Sequence, residues 1–200
     1  TINASDSTYD SRYLVVSNCA VTLNGAHAFG GVAIFGTGVV SHSATTADIL
    51  YRMELTLGDE LYVDSTAKID VTGKGFLPGR TLGNTTSGAA QDLSGGSYGG
   101  EGFVPTASCG RTNRAYGDYR NPTEPGSGGG LHLTWSAGAG GGVVKISATS
   151  ATINGSILAN GGNGGYAADP AGSGGSIRLD VGTLSGAGVI AASGGNGYVA

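Results

Sequence analysis

Ile157-Leu-Ala-Asn-Gly-Gly-Asn-Gly164 and Ile190-Ala-Ala-Ser-Gly-Gly-Asn-Gly197 stand 33 residues apart, and the same interval separates Val144-Lys-Ile146 from Ile177-Arg-Leu179. Thr152-Ile-Asn-Gly155 aligns with Thr183-Leu-Ser-Gly186 at an interval of 31, which places a two-residue shift inside the unit. A fainter copy runs from Leu55 to Gly75 as Leu-Thr-Leu, Leu-Tyr-Val and Lys-Ile-Asp-Val-Thr-Gly-Lys-Gly. Each unit reads as three short strands followed by a glycine-rich loop. Such a unit cannot bury its apolar side alone, whereas stacked copies form one continuous core. The repeat therefore predicts an all-β fold, a parallel β-solenoid (β-helix). An antiparallel sandwich would show turn signals every 8–12 residues and no long-range echo.

Outward from the repeat, the first part of the chain carries short runs of alternating apolar residues: Tyr13–Val16, Val21–Leu23, Val32–Phe35, Val39–Val40, Leu55–Leu57, Leu61–Val63 and Lys68–Val71. Breaks are expected at Asn24-Gly25, Gly36-Thr-Gly38, Gly58-Asp59 and Gly73-Lys-Gly75, since Gly and Asn tolerate positive φ. No stretch sustains a helical period, and residues 44–53 have room for one helical turn. The inward positions are predicted to be Leu55, Leu57, Leu61, Val63, Ile69, Val71, Val144, Ile146, Ile153, Ile157, Ile177, Leu179, Leu184 and Ile190. One domain results, with N-terminal strands and first rungs over 1–75, a glycine-rich excursion over 76–130, and repeat rungs over 131–200.

Glycine accounts for 40 of 200 residues and is concentrated after position 79, and charged residues make up only 12%. Only 5 prolines occur, without a Gly-X-Y period, which excludes collagen. A net charge of −4 with 10 Lys+Arg leaves little to neutralise a phosphate backbone, so nucleic acid is not an expected partner. No apolar run approaches the roughly 20 residues of a membrane-spanning helix. A structureless segment as long as 76–130 is unusual inside a domain. It reads as a functional excursion, as disorder, or as glycine-rich backbone packed in extended threads of polyproline-II shape; the last reading also suits 161–175.

Several motifs resemble a family of glycine-rich repeat domains in very large bacterial surface and secreted proteins. They are Tyr9-Asp10 with Leu14-Val-Val16, Leu23-Asn-Gly-Ala-His27, Ala67–Gly75, Gly126-Ser-Gly-Gly-Gly130, the two Gly-Gly-Asn-Gly loops, Gly172-Ser-Gly-Gly-Ser-Ile177 and Thr183-Leu-Ser-Gly186. The resemblance implies a solenoid in an extracellular or cell-surface protein, beside adhesive or carbohydrate-related modules. It also implies that a further glycine run and a closing strand would follow the last repeat. It brings no catalytic signature.

Polysaccharide cleavage needs two carboxylates flanking the bond. Candidates in the variable part are Asp92, Glu101, Asp118 and Glu124. Tyr98, Glu101, Arg111, Arg114, Tyr116, Asp118, Tyr119 and Trp135 form the candidate ligand surface, with Phe103 and Arg120 nearby. Flat rings suit apolar sugar faces, and charged groups suit the hydroxyls. The plainer expectation is that the acids and bases of this segment pair with one another to order a loop. His27, His42 and His132 lack metal or catalytic spacing, and His27 reads as a packing or turn residue. Cys19 and Cys109 allow one disulfide or two separate thiols. No cofactor is expected; an isolated calcium site would draw on Asp59, Asp64 or Asp70. Gly161–Asp169 resembles a calcium-binding nonapeptide but lacks its fixed aspartate. The expected function is a non-enzymatic structural or adhesive module that meets itself or neighbouring modules end to end. A carbohydrate-binding surface over 98–135 is the alternative, and a polysaccharide-cleaving enzyme the third.

Overall fold

The computed structural model describes residues 1–106, 110–131, 136–165 and 169–197. Among these the regular structure is entirely β, and every ladder between named strands is parallel. The strands are β1 (Ile2–Asn3), β2 (Tyr13–Ser17), β3 (Ala20–Phe29), β4 (Gly31–Phe35), β5 (Val39–Ser41), β6 (Met53–Leu57), β7 (Glu60–Val63), β8 (Lys68–Asp70), β9 (Val143–Ile153), β10 (Ser156–Leu158), β11 (Ser176–Ser185) and β12 (Val189–Ala191).

They pair in three stacks. One runs β2, β4, β7, the end of β9 and β11. A second runs from the start of β3 through β5, β8 and β10 to β12. The third joins β1, the body of β3, β6, the start of β9 and β11. Register places like side chains above one another. Val16, Ile34, Val63 and Ile153 form one column, and Val21, Val40, Ile69, Ile157 and Ile190 another. The middle members are fully buried. Each contributes roughly 1.5–3 kcal/mol by leaving water.

Ten of the predicted inward positions, from Leu55 to Ile157, are buried. The last four are corrected: Ile177 and Leu179 are half-buried, while Leu184 and Ile190 are 54% and 44% exposed. They lie in the columns, over Ala151 and Ile157, but nothing among the described residues lies beyond them. Three further expectations change. The 33-residue interval holds throughout, with Thr183 opposite Ser150 and Ser185 opposite Thr152, so the internal shift is absent. Gly188 stacks on Gly155, where an added Cβ would sit 2.3 Å from the Gly155 carbonyl oxygen, and this close approach maintains the register. The strand β3 does not break at Asn24-Gly25; it turns a corner there, with Gly25 at φ +84° against Ala4. Residues 44–53 hold no helical turn, because the Thr46 hydroxyl accepts the Asp48 and Ile49 amides and competes with helical bonding.

The glycine-rich segments pack outside the strands as threads. Hydrogen bonds from one thread to a given neighbour recur every third residue. Gly138 and Gly141 donate to the carbonyls of Pro170 and Ser173; Gly129 and Gly126 donate to those of Gly138 and Gly141; Phe76 and Gly79 donate to those of Gly126 and Gly129. Three residues per turn is the period of polyproline II, which directs bonds to three sides instead of two. The threads approach so closely that an added Cβ at Gly140 would lie 1.9 Å from the Gly126 oxygen, and one at Gly141 2.0 Å from the Ala159 oxygen. Of the three readings for 76–130, packed threads describe residues 75–80 and 126–130, and they extend through 138–142, 159–165 and 169–175.

A buried histidine ties threads to strands. His42 donates from Nδ1 to the Ser43 carbonyl (2.7 Å) and accepts the Val143 amide at Nε2 (3.1 Å). That pattern requires the neutral ring. Burial pushes its pKa down to about 4. Gly142 leaves room for the ring, since a Cβ there would meet Nε2 at 2.3 Å.

Candidate functional site

Residues 91–106 and 110–125 lie over the threads, ordered by hydroxyls and amides. Tyr98 and Tyr116 meet edge to face, with centroids 5.0 Å apart. The Tyr98 hydroxyl bonds the Ser176 hydroxyl at 2.7 Å, and Ser176 in turn donates to the Glu124 carbonyl. Tyr116 donates to the Pro125 carbonyl (2.6 Å) and accepts from Ser127 (3.0 Å). Burial raises the pKa of both phenols, so they remain protonated donors. Asn113, fully buried, accepts the Ser97 amide and donates to the carbonyls of Ser97 and Arg114.

The expectation that acids and bases pair to order this loop is corrected. Among the described residues the ion pairs are Arg52–Glu54, Lys68–Asp70, Lys145–Glu54 and Arg178–Asp180, none within 80–130. Surface pairs contribute little in water, whereas an amide buried at Asn113 is costly to leave unmatched. Asn113→Ala should therefore lower stability by roughly 1–3 kcal/mol, measured by denaturant unfolding. An unchanged midpoint would show that the loop is ordered by other contacts.

Five of the eight candidate residues, Tyr98, Glu101, Tyr116, Asp118 and Tyr119, border two adjoining clefts. The larger, about 920 Å³, is bordered by Tyr98, Glu101 and Phe103 on one side and by Pro170 and the 192–197 thread on the other. The smaller, about 440 Å³, is bordered by Tyr98, Tyr116, Asp118, Tyr119 and Pro122. Arg111 and Arg114 are exposed and border neither. Tyr119 is 84% exposed, with the Arg120 guanidinium 5.4 Å from its ring centre. Asp118 accepts the Arg120 amide and so shapes a turn. The four candidate acids do not gather: Glu101 borders the larger cleft, Asp118 the smaller, and Asp92 and Glu124 neither. Trp135 and His132 lie outside the described residues, as does Cys109 and hence its pairing with the exposed Cys19.

No family model, curated protein or solved structure matches the chain.

The proposed calcium ligands serve other partners. Asp59 accepts the Tyr13 hydroxyl, Asp64 the Gly36 amide, and Asp70 the Lys68 ammonium. Among the described residues no three His, Cys, Asp or Glu side chains converge on a common point. His27 stacks on Phe29 and bonds the Asn24 carbonyl. Sequence reasoning missed the organising role of Asn113, Ser127 and Ser176 and the part of Gly194 and Gly197 in the larger cleft. The last two were legible as the second Gly-Gly-Asn-Gly copy, had thread periodicity been applied to it.

Proposed function

We propose that the chain is a parallel β-solenoid, a glycine-rich repeat domain serving as a non-enzymatic structural building block of an extracellular bacterial protein or fibre. The observation that carries this reading is the surface formed by β11 and β12. Leu184 and Ile190 are about half exposed there, directly in line with buried columns, Val189 is exposed beside them, and the outer edges of both strands are unpaired among the described residues. An open parallel edge with apolar side chains in register is a template for a further layer of the same kind. Light-scattering mass against concentration, with negative-stain electron microscopy, tests this. End-to-end oligomers that grow with concentration and disappear in Ile190→Lys are expected; a strict monomer at high concentration would overturn it.

A second reading, glycan binding, is supported by the exposed Tyr119 ring with its adjacent guanidinium. Glycan binding lost in Tyr119→Ala at unchanged melting temperature would favour it.

A further inference from the structure

The 192–197 thread has three sides, and the described residues use two of them. Ser193 and Asn196 face the 160–164 thread: their carbonyls accept the Gly161 and Gly164 amides, and their own amides donate to the Asn160 and Asn163 side chains. Ala192 and Gly195 face the 172–174 thread, where Gly195 donates to the Gly172 carbonyl and Ala192 oxygen crowds Gly174. Gly194 and Gly197, three apart and so on one side, border the larger cleft, and their amides have no acceptor among the described residues.

Four glycines bordering this cleft, Gly99, Gly100, Gly194 and Gly197, differ from those inside the bundle and from their crowded neighbours Gly96, Gly102, Gly172, Gly174 and Gly195. A Cβ at Gly194 would meet nothing nearer than 3.9 Å, one at Gly197 nothing nearer than 3.6 Å, and one at Gly99 or Gly100 nothing within 4 Å; none of the four has a left-handed φ. Neither internal packing nor backbone stereochemistry requires glycine there. Bare backbone facing open space is what close approach of another backbone needs. Tyr98, Phe103 and Pro105 supply the flat apolar wall on which polyproline-II ligands dock.

We propose that the larger cleft is a vacant thread position, and that it binds an extended glycine-rich segment of another chain or module in polyproline-II form. The segment would lie along 192–197, accept the Gly194 and Gly197 amides, and rest against Tyr98 and Phe103. This site lies on the thread bundle and is independent of stacking through β11 and β12, so either proposal can fail alone.

The test is calorimetric titration of the full chain with an end-blocked peptide of three Gly-Gly-Ser repeats, beside a Gly-Val-Ser control and a linear glucose oligosaccharide. The first should bind and the control should be weaker by roughly tenfold or more. Gly194→Val and Gly100→Val, whose side chains point into open space, should keep the melting temperature and abolish binding. No heat with the glycine peptide, equal binding in both variants, or binding of the oligosaccharide alone would each overturn the assignment. Failure here with intact end-to-end assembly would leave the structural-module proposal standing.

Discussion

Gly140→Ala is expected to destabilise the fold by roughly 3 kcal/mol or more, lowering the melting temperature by about 6–12 °C. The added methyl would sit 1.9 Å from the Gly126 oxygen and 2.2 Å from its carbonyl carbon. Both are backbone atoms of a thread bonded to further threads, so no side chain can swing aside. Relief requires displacing residues 126–130, and with them the bonds to Phe76, Gly79 and Ser173. Gly99→Ala is the matched control, because its Cβ meets nothing. That variant should lie within about 0.5 kcal/mol of the parent, since surface substitutions away from special features rarely do more. Thermal unfolding followed by circular dichroism separates the two, and equal shifts would mean that the threads are not packed at this spacing.

The second large effect is acid sensitivity centred on His42. Its folded pKa, about 4, lies below the ordinary value of 6.5. Below pH 6.5 the unfolded chain takes up a proton that the folded ring refuses until about pH 4. The unfolded state then binds more protons, so stability rises with pH across this window. The contribution is complete above pH 6.5 and falls by roughly 3 kcal/mol in total down to pH 4. Lys74, whose ammonium donates to the His42 carbonyl at 2.7 Å, adds repulsion that also disfavours imidazolium. Denaturant midpoints between pH 7 and 5 should decline in the parent and stay flat in His42→Gln. Parallel curves would remove His42 as the cause.

Strand positions were readable because alternating apolar residues in the repeat have only one way to share a core. Leu61, Ile69, Val144 and Ile157 are buried where the pattern puts them. The register error around Thr152 arose because a short Thr-x-x-Gly match was weighed without the backbone contact of Gly188 on Gly155, which composition cannot express. The exposure of Leu184 and Ile190 was equally invisible to periodicity, which reports the facing of a side chain but not whether anything lies beyond it. In the candidate site, aromatic clustering pointed to residues that border the two clefts, yet Tyr98 and Tyr116 are largely committed to bonds with Ser176, Ser127 and Pro125. Those partners are 9 to 78 residues away, and no local motif announces them.

The bonding of residues 138–142 also bears on how the molecule carries load. Bonds between successive parallel strands point along the stacking direction, so a pull along that direction strains one layer boundary at a time. The threads are different: 138–142 is bonded at once to Val71, Phe76, Gly126, Gly162 and Ser173, which belong to segments far apart in the chain. Tension entering at any one of these is divided among bonds running in three directions, and none of them can unzip in sequence. The glycine layer thus acts as a cross-linked mat beside a stack of planks, resisting peeling through backbone hydrogen bonds.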